Sequence, residues 1–581
     1  MNTPRKYRKF TPHKQKIEAL EKESPRFKRI YSEYELMSDE LWNLENTDIS
    51  NIPDDFLDAI KLQTSYLEEE IDDWLIDENK KYNKRTSRNA GFSILLSLQK
   101  FSGTGIPAML INLTQNKNFK LFKLISETAE KNSQSVFIVG GYVRDLLMKR
   151  KAPTDIDFVT EGNGMDLAKT VAKEINPKLK VSVFKNYGTA MFKHEGLDLE
   201  FVGARKESYA ENSRKPSVEI GTLEDDQKRR DFTINALAIS LNKDSFGELI
   251  DPFNGISDIQ NKIIRTPLEP SQTYSDDPLR MMRAIRFAST LNFKIEEHSL
   301  RAIQKEAERI KIVSMERIMV EFNKIMLSEK PSTGLKLLEE TGLLPIIIPE
   351  LTALRGIEEV EGQTHKDNFW HTLEVVDNIS ENTENLWLRW AALLHDIGKA
   401  PTKKFVEGTG WTFHGHEFLG SKMVKSLFYR LKLPMGSDMK YVQKMVKLSS
   451  RPIALIDDGT SDSALRRLLF DSGEDLEDLF TLCKADITTK NASKQQKFKK
   501  NFEYVAQKIK EVEEKDQVRN FQPPISGEEI MALFNLKPGR EIGILKEKVK
   551  EAILEGEIEN DKDQARNFVI KEAEILGLKL V

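Results

Sequence analysis

The stretch VFIVGGYVRD at residues 136–145, followed by DID at 155–157, decides how the rest of the chain is read. The β-branched, apolar run 136–139 predicts a buried strand. It breaks at Gly140-Gly141, where no Cβ keeps the backbone away from a ligand. Residues 142–150 predict a short helix whose N-terminal amides and dipole face the glycine turn, an arrangement that suits phosphate. Arg144 adds a planar donor fork for phosphate oxygens. The next stretch, DIDFVT, predicts a second strand, and strand alternation puts Asp155 and Asp157 on one face with Ile156 on the other. Two carboxylates beside a phosphate turn are a ligand set for Mg²⁺ ions held against a triphosphate. Taken singly, a glycine pair after a strand is common, and a lone DxD is usually a turn or a solvated edge. Their order and proximity are what point to a site.

Composition bounds the rest. A chain of 581 residues exceeds what one core usually supports, so several domains are expected. With 39% hydrophobic and 31% charged residues it reads as soluble and helix-rich. No apolar run approaches the ~20 residues of a spanning helix, and no secretory signal is read at Met1, so no membrane partner is expected. The one cysteine, Cys483, excludes a disulfide framework and fits a reducing, cytoplasmic setting. A net charge of −4 excludes a basic nucleic-acid coat, so any RNA contact must come from local patches. Oligomeric state is not legible.

In chain order, residues 1–87 read as a separate helical extension. It has an unstructured basic start, a helix beginning near Ser24-Pro25 and a second helix over about 53–78. Residues 88–115 read as a linker. After DID, a helix over 165–175 and strands at 180–185, 189–194 and 197–204 predict a small mixed sheet with helices packed on it. Asp198 and Glu200 share a strand face there, and either could be a third acidic residue. Residues 204–216 read as a basic loop able to close over nucleotide or RNA.

RRDFTINALA, residues 229–238, reads as a helix with Asp231 and Asn235 four apart on one face and Arg229 and Arg230 at its start. SDDPLRMMRAIRFA, residues 275–288, reads as one helix carrying Arg280, Arg283 and Arg286 at intervals of three. Asp277 and Arg280 face the same way across one turn. A carboxylate accepts from an exocyclic amine such as cytosine N4, while arginine donates to a base acceptor, so this pair could read a base edge without a template. Read alone, the pair could equally be a helix-stabilising ion pair.

Together, GGYVRD with DID, RRDFTINALA and SDDPLR resemble the motifs of the class II nucleotidyltransferases, the family of CCA-adding enzymes and bacterial poly(A) polymerases. The resemblance implies catalytic Asp155 and Asp157 with two Mg²⁺ ions at the head. It implies nucleotide contacts from Gly140, Gly141, Arg144, Arg230, Asp231, Asn235, Asp277, Arg280 and Arg283. Asp276 stands where the family has Glu. MERIMVEFNKIM, residues 315–326, resembles the helix that braces the selecting helix, and INLTQNKNFKLFKLI resembles a family start, so residues 1–108 read as an appended, fused unit.

From about Gly356 the chain becomes all-helical with histidines. His371, the pair His395-Asp396 and the distant Asp486 are divalent-metal ligand types, with His414 and His416 nearby. HDIGK in an apolar helix resembles the HD superfamily of metal-dependent phosphohydrolases. LSSRP places Ser449 where related nucleotidyltransferases carry a histidine, which removes a ligand or substrate contact.

The expected fold is multidomain and predominantly α. An α+β head at 116–256 precedes a helical neck at 257–355, an HD domain at 356–495 and a tRNA-binding helical tail at 496–581. The expected function is template-independent addition of CCA to the tRNA 3′ end from CTP and ATP. The alternatives are poly(A) polymerisation, partial CC or A addition, and an HD phosphohydrolase with a nucleotide-binding head. A second divalent metal is a candidate in the HD domain.

Overall fold

A computed structural model describes residues 107–581 apart from 151–152, 186–187, 209–216, 361–362, 458–460, 489–491, 517–521 and 581. Before residue 107 it describes residues 10, 13–23, 27, 31, 34, 35, 38, 100 and 101. The chain forms two compact units, Met1–Asn116 and Lys117–Val581.

In the first unit the basic start expected to be unstructured carries a helix, Lys14–Glu23. Phe10, Ile17, Phe27 and Tyr34 are buried there, with Phe10 edge-on to Tyr34 at 5.3 Å. Such aromatic burial supplies the tertiary support a short, highly charged helix lacks by propensity alone. The helix expected over 53–78 lies outside the described residues. Within the expected linker, Lys100–Phe101 pairs antiparallel with Pro107–Leu110, so its end is a strand pair.

The second unit opens with helix α1 (Phe119–Lys131) and strand β1 (Ser135–Val139), then α2 (Gly141–Leu147) and β2 (Asp155–Glu161). Helix α3 (Gly164–Ile175) leads to β3 (Ser182–Phe184), β4 (Thr189–His194) and β5 (Leu197–Gly203). Helix α4 (Leu223–Lys228) precedes β6 (Ala238–Ser240) and β7 (Glu248–Ile250). In space the strands run β7-β6-β1-β2-β5-β4-β3. Only β2 and β5 pair in parallel, so the sheet is mixed. Strand alternation divides its residues cleanly. Ile156, Phe158, Leu199 and Phe201 are buried on one face, where Phe158 stacks on Phe201 at 4.7 Å and meets Phe122 of α1. On the other, Val139, Val159 and Ala204 pack with Leu223 of α4. That second face carries the acidic residues at the strand ends. The ends of the basic loop, Arg205–Ser208 and Ser217–Ile220, form an antiparallel strand pair instead of loop, and residues 209–216 lie outside the described set.

Beyond the sheet the unit is mainly helical, with short strand pairs at 263–264/294–295, 359–360/363–364 and 404–406/410–412, the last two within the stretch expected to be all-helical. Helices α5 (Pro270–Asp276) and α6 (Leu279–Leu291) begin the neck, and α7 (Met315–Met326) packs against α6. Helices α8 (Asn368–Ser380), α9 (Leu386–Leu394), α10 (His416–Arg430), α11 (Ser437–Leu448) and α12 (Leu476–Asp486) come next, then α13 (Ala492–Asp516). Arg389 of α9 is buried, and its guanidinium donates to the carbonyls of Met326, Ser328, Ser380 and Thr383 at 2.7–3.1 Å. It thereby satisfies orphan acceptors at the end of α7 and joins neck to histidine-bearing helices. Trp390 adds a 2.9 Å donation to Asn323. Among the described residues, no helix is long and apolar enough to cross a membrane.

Candidate active site

The glycine turn sits where the sheet register brings it to the acids. Val139, the last residue of β1, pairs with Asp157. Gly140 comes next with φ +77°, and a Cβ there would lie 3.1 Å from Arg230 Nη1 and 3.3 Å from Asp157 Oδ2. Both the left-handed backbone and the close approach therefore require glycine. The parallel β2–β5 register pairs Asp155 with Asp198 and Asp157 with Glu200, which puts four carboxylates on one face. Asp198 is engaged by Lys193 at 3.1 Å, whereas Glu200 lines a cleft beside Asp157. Burial pushes the Asp157 carboxyl up to about 6, against Arg230 and with help from Asp155, Glu200 and Asp226. Burial and the neighbouring acids raise Asp155 and Glu200 as well. Crowded oxygen donors of this kind are a site for a hard divalent cation, whose charge relieves their repulsion.

The opposite wall comes from α4 and the loop after it. Thr222 and Asp225 close a capping box at the start of α4. Buried Asp226 pairs with Arg229 and, at 2.8 Å, with Arg230, whose guanidinium reaches the glycine turn. Residues 229–238 are not the expected α-helix. They form a loop, one 3₁₀ turn (Thr233–Asn235) and the start of β6. Thr233 N–H donates to Arg265 O at 2.9 Å and its hydroxyl to Asp258 at 2.7 Å, while Gly255 packs against its carbonyl. These tertiary bonds replace the i→i−4 ladder. Asp231 and Asn235 nevertheless meet, the Asn235 amide donating to Asp231 at 3.0 Å.

Arg144 is buried, and its fork is not directed at the cleft. It donates to both oxygens of Asp145 at 2.9 Å and to Asn235 Oδ1 at 2.8 Å. Three of the five N–H donors expected on phosphate are thus engaged within the protein, and Arg144 orients Asn235.

The helix expected over 275–288 is broken. Asp277, with φ −135° and ψ 96°, separates α5 from α6 because the following Pro278 disfavours helical geometry at the residue before it. Asp277 and Arg280 still stand together: the Arg280 N–H donates to Asp277 O at 2.9 Å, and its guanidinium donates to Arg229 O at 2.6 Å. Arg283 donates to Asp231 at 2.7 Å. Burial raises the Asp231 carboxyl, but Arg283 and Asn235 outweigh it and bring the pKa down to about 2. The Phe287 ring lies 5.0, 5.6 and 3.7 Å from the guanidinium carbons of Arg144, Arg283 and Arg286. Arg286 pairs with buried Glu321 of α7 at 2.5 Å, the bracing contact between the two helices. Asp276 accepts from Gln272 at 2.6 Å and is not among the cleft residues.

The result is one cleft of about 330 Å³, lined by Asp157 and Glu200 from the sheet, Arg229, Arg230 and Asp231 from the loop, and Asp277, Arg280 and Arg283 from the neck. Asp155 is exposed at the start of β2. One contributor escaped sequence reasoning. Asp226 was legible as the i−3 and i−4 partner of Arg229 and Arg230. Arg205 also lines the cleft, from a strand where a loop was expected.

A second cluster lies among the later helices. His371 Nε2 is 2.8 Å and His395 Nε2 3.4 Å from Asp486 Oδ1, and His395 Nε2 is 3.3 Å from Asp396 Oδ2. His395 Nδ1 faces the Ala392 carbonyl at 2.8 Å, which turns Nε2 inward, where it is buried without a well-formed hydrogen bond. Two inward imidazoles and a carboxylate fit one divalent cation. Burial lowers the His395 pKa, yet Asp396 and Asp486 push it up to about 10. Lysines crowd this cluster: Lys399 holds Asp396 at 2.7 Å and Lys366 faces His371 Nδ1 at 2.9 Å. His416 stands 3.5 Å from Asp396, and His414 is exposed. Ser449 is buried and donates to Val446 O at 3.0 Å, so no imidazole enters from that position.

The chain matches three family models: the poly A polymerase head domain over residues 136–265, the probable RNA and SrmB-binding site of polymerase A over 292–354, and the HD domain over 368–468. An A-adding tRNA nucleotidyltransferase of Deinococcus radiodurans is 32% identical over 361 residues, 61% of this chain and 80% of the relative. A CCA-adding enzyme of Bacillus velezensis is 29% identical over 445 residues, 76% of this chain and 94% of the relative. In fold, the chain is similar to the structure of a CCA-adding enzyme in its apo form II, with TM-score 0.53 and 22% identity over 79% of this chain and 96% of that one.

Proposed function

Because the chain belongs to the tRNA nucleotidyltransferase family, with a poly A polymerase head, we propose that it adds C, C and A to the 3′ end of tRNA from CTP and ATP without a template. The observation that carries this reading is the single cleft in which metal-type carboxylates face an Asp/Arg pair able to read a base. In the reaction the tRNA 3′-hydroxyl attacks the α-phosphate, a new phosphodiester forms and pyrophosphate leaves.

Asp155 and Asp157 would hold two Mg²⁺ ions, with Glu200 as the third carboxylate. Bound there, the ions would lower the hydroxyl's pKa and offset charge on the triphosphate. Gly140 and Gly141 let the backbone approach the phosphates, and Arg230, aimed there by Asp226, donates to their oxygens. Asn235, set by Arg144, and Asp231, set by Arg283, hold the sugar end. Asp277 accepts from the exocyclic amine of C or A, and Arg280 donates to the adjacent ring acceptor.

On this reading residues 116–256 are the head, 257–355 the neck, 356–495 the HD domain and 496–581 a tRNA-binding tail. Residues 1–87 and the linker 88–115 are an appended extension. The HD cluster takes one divalent cation through His371, His395 and Asp486. We place the protein in the cytoplasm, where a chain whose one cysteine is free and buried meets its tRNA. The test is a tRNA lacking its CCA end, offered CTP alone, ATP alone, then both. Growth by two, by none and by three residues respectively supports the proposal. An A-adding enzyme would leave this tRNA unextended and lengthen by one residue only a tRNA already ending in CC, and an unbounded ladder marks a poly(A) polymerase.

A further inference from the structure

Helix α10 buries Gly420, Val424, Leu427 and Phe428 against the rest of the fold. Its outer side carries Phe418, Lys422, Lys425 and Tyr429, spaced 4, 3 and 4 apart and therefore aligned as one stripe. Phe418 is 56% and Tyr429 68% exposed, so this helix presents two aromatic rings to solvent. Each ring has a cation against it. Lys422 Nζ lies 4.0 Å from the Phe418 centroid, and Lys432 Nζ, just past the helix end, lies 5.0 Å from that of Tyr429. Among the described residues, no carboxylate forms a salt bridge with Lys422, Lys425 or Lys432.

The stripe is continuous with another surface. Arg430, beside Tyr429, donates to Ile347 O at 2.8 Å and to Glu350 at 2.6 Å. Both partners lie in the segment 292–354 that matches a probable RNA-binding model.

We propose that this stripe is an RNA-docking surface that carries the body of the tRNA beyond the neck. The lysines meet phosphates and displace counterions, and Phe418 and Tyr429 stack on ribose or unpaired bases. Unpaired positive charge interleaved with exposed rings matches a polyanion with flat faces. The proposal rests on the tRNA reading above but makes a separate claim about where the RNA lies.

The test uses the full chain and two double variants, Phe418→Ala/Tyr429→Ala and Lys422→Glu/Lys425→Glu, with CCA-less tRNA. Filter binding over a range of salt gives Kd and its salt slope, and initial rates give kcat and the KM for tRNA and for CTP. All four positions are exposed, so an unchanged melting profile is expected. Each double variant should weaken tRNA binding about tenfold or more, and the lysine variant should reduce the salt slope by about two. The KM for CTP and kcat should stay put. Unchanged tRNA affinity and slope in both variants would overturn the proposal, as would a loss of self-association with no effect on RNA. If the unaltered chain binds tRNA through the stripe but incorporates no nucleotide, the docking surface stands and the assigned reaction fails.

Discussion

Replacing Arg283 with Met should separate a structural from a substrate-binding arginine. Its guanidinium is bonded to Asp231 at 2.7 Å, and that carboxylate is only 8% exposed. Burial alone would raise the Asp231 pKa. Arg283 and Asn235 instead bring it from 3.8 to about 2, worth about 2 kcal/mol at 1.36 kcal/mol per pH unit. Arg283→Met forfeits much of this and leaves a buried charge without its cation, so the local cost should be about 2–4 kcal/mol. Because the folded-state pKa is depressed, the stability this pair contributes is fully present above about pH 4. It is lost as pH falls through about 2. In a multidomain chain the assay must be local, and native-state hydrogen exchange of the α6 amides provides it. At pH 7 those amides should exchange roughly 30-fold or more faster in Arg283→Met, and the added change Asp231→Asn should restore most of the protection. If the single variant matches the unaltered protein in exchange and differs only in KM for nucleotide, Arg283 contacts substrate directly and its structural role is refuted.

Gly140→Ala forces a Cβ to within 3.1 Å of Arg230 and 3.3 Å of Asp157 at φ +77°. With strain of about 1–2 kcal/mol placed at the acids, kcat/KM should fall by about 100-fold or more while most of the fold survives, as circular dichroism and initial rates will reveal. Asp277→Asn and Arg280→Ala should lower discrimination for CTP and ATP over GTP and UTP in competition assays, since both partners of the base-reading pair line the cleft. His395→Ala with Asp486→Ala should abolish one equivalent of bound Mn²⁺ measured by elemental analysis, and CMP incorporation should persist. Arg389→Met removes a buried donor to four carbonyls and should cost about 3 kcal/mol, visible as a lower melting temperature of the neck and histidine helices together.

The acidic face of the sheet was legible because it depends on local rules. Strand period alone puts Asp155 and Asp157 together, and the glycine pair marks where backbone meets ligand. What failed depends on partners far away in sequence. Thr233 bonds Arg265 and Asp258, so a stretch with helical spacing became a 3₁₀ turn. In isolation Arg144 looks like a phosphate ligand and Arg283 like a nucleotide contact, yet Asn235 and Asp231, 91 and 52 residues away, bond them. The break at Asp277 follows from Pro278, a local rule that competes with an arginine spacing suited to a continuous helix. Between Asp198 and Glu200 no local rule could choose. The neighbouring strand sets the two apart, with Lys193 against Asp198 and the cleft beside Glu200.

Everything proposed for the cleft depends on Asp155 and Asp157 organising nucleotidyl transfer. Incubating CCA-less tRNA and labelled CTP with the Asp155→Ala/Asp157→Ala chain puts that dependence to the test. Incorporation should disappear, while tRNA binding and the divalent metal of the histidine cluster are retained. Incorporation at the unaltered rate would contradict the assignment.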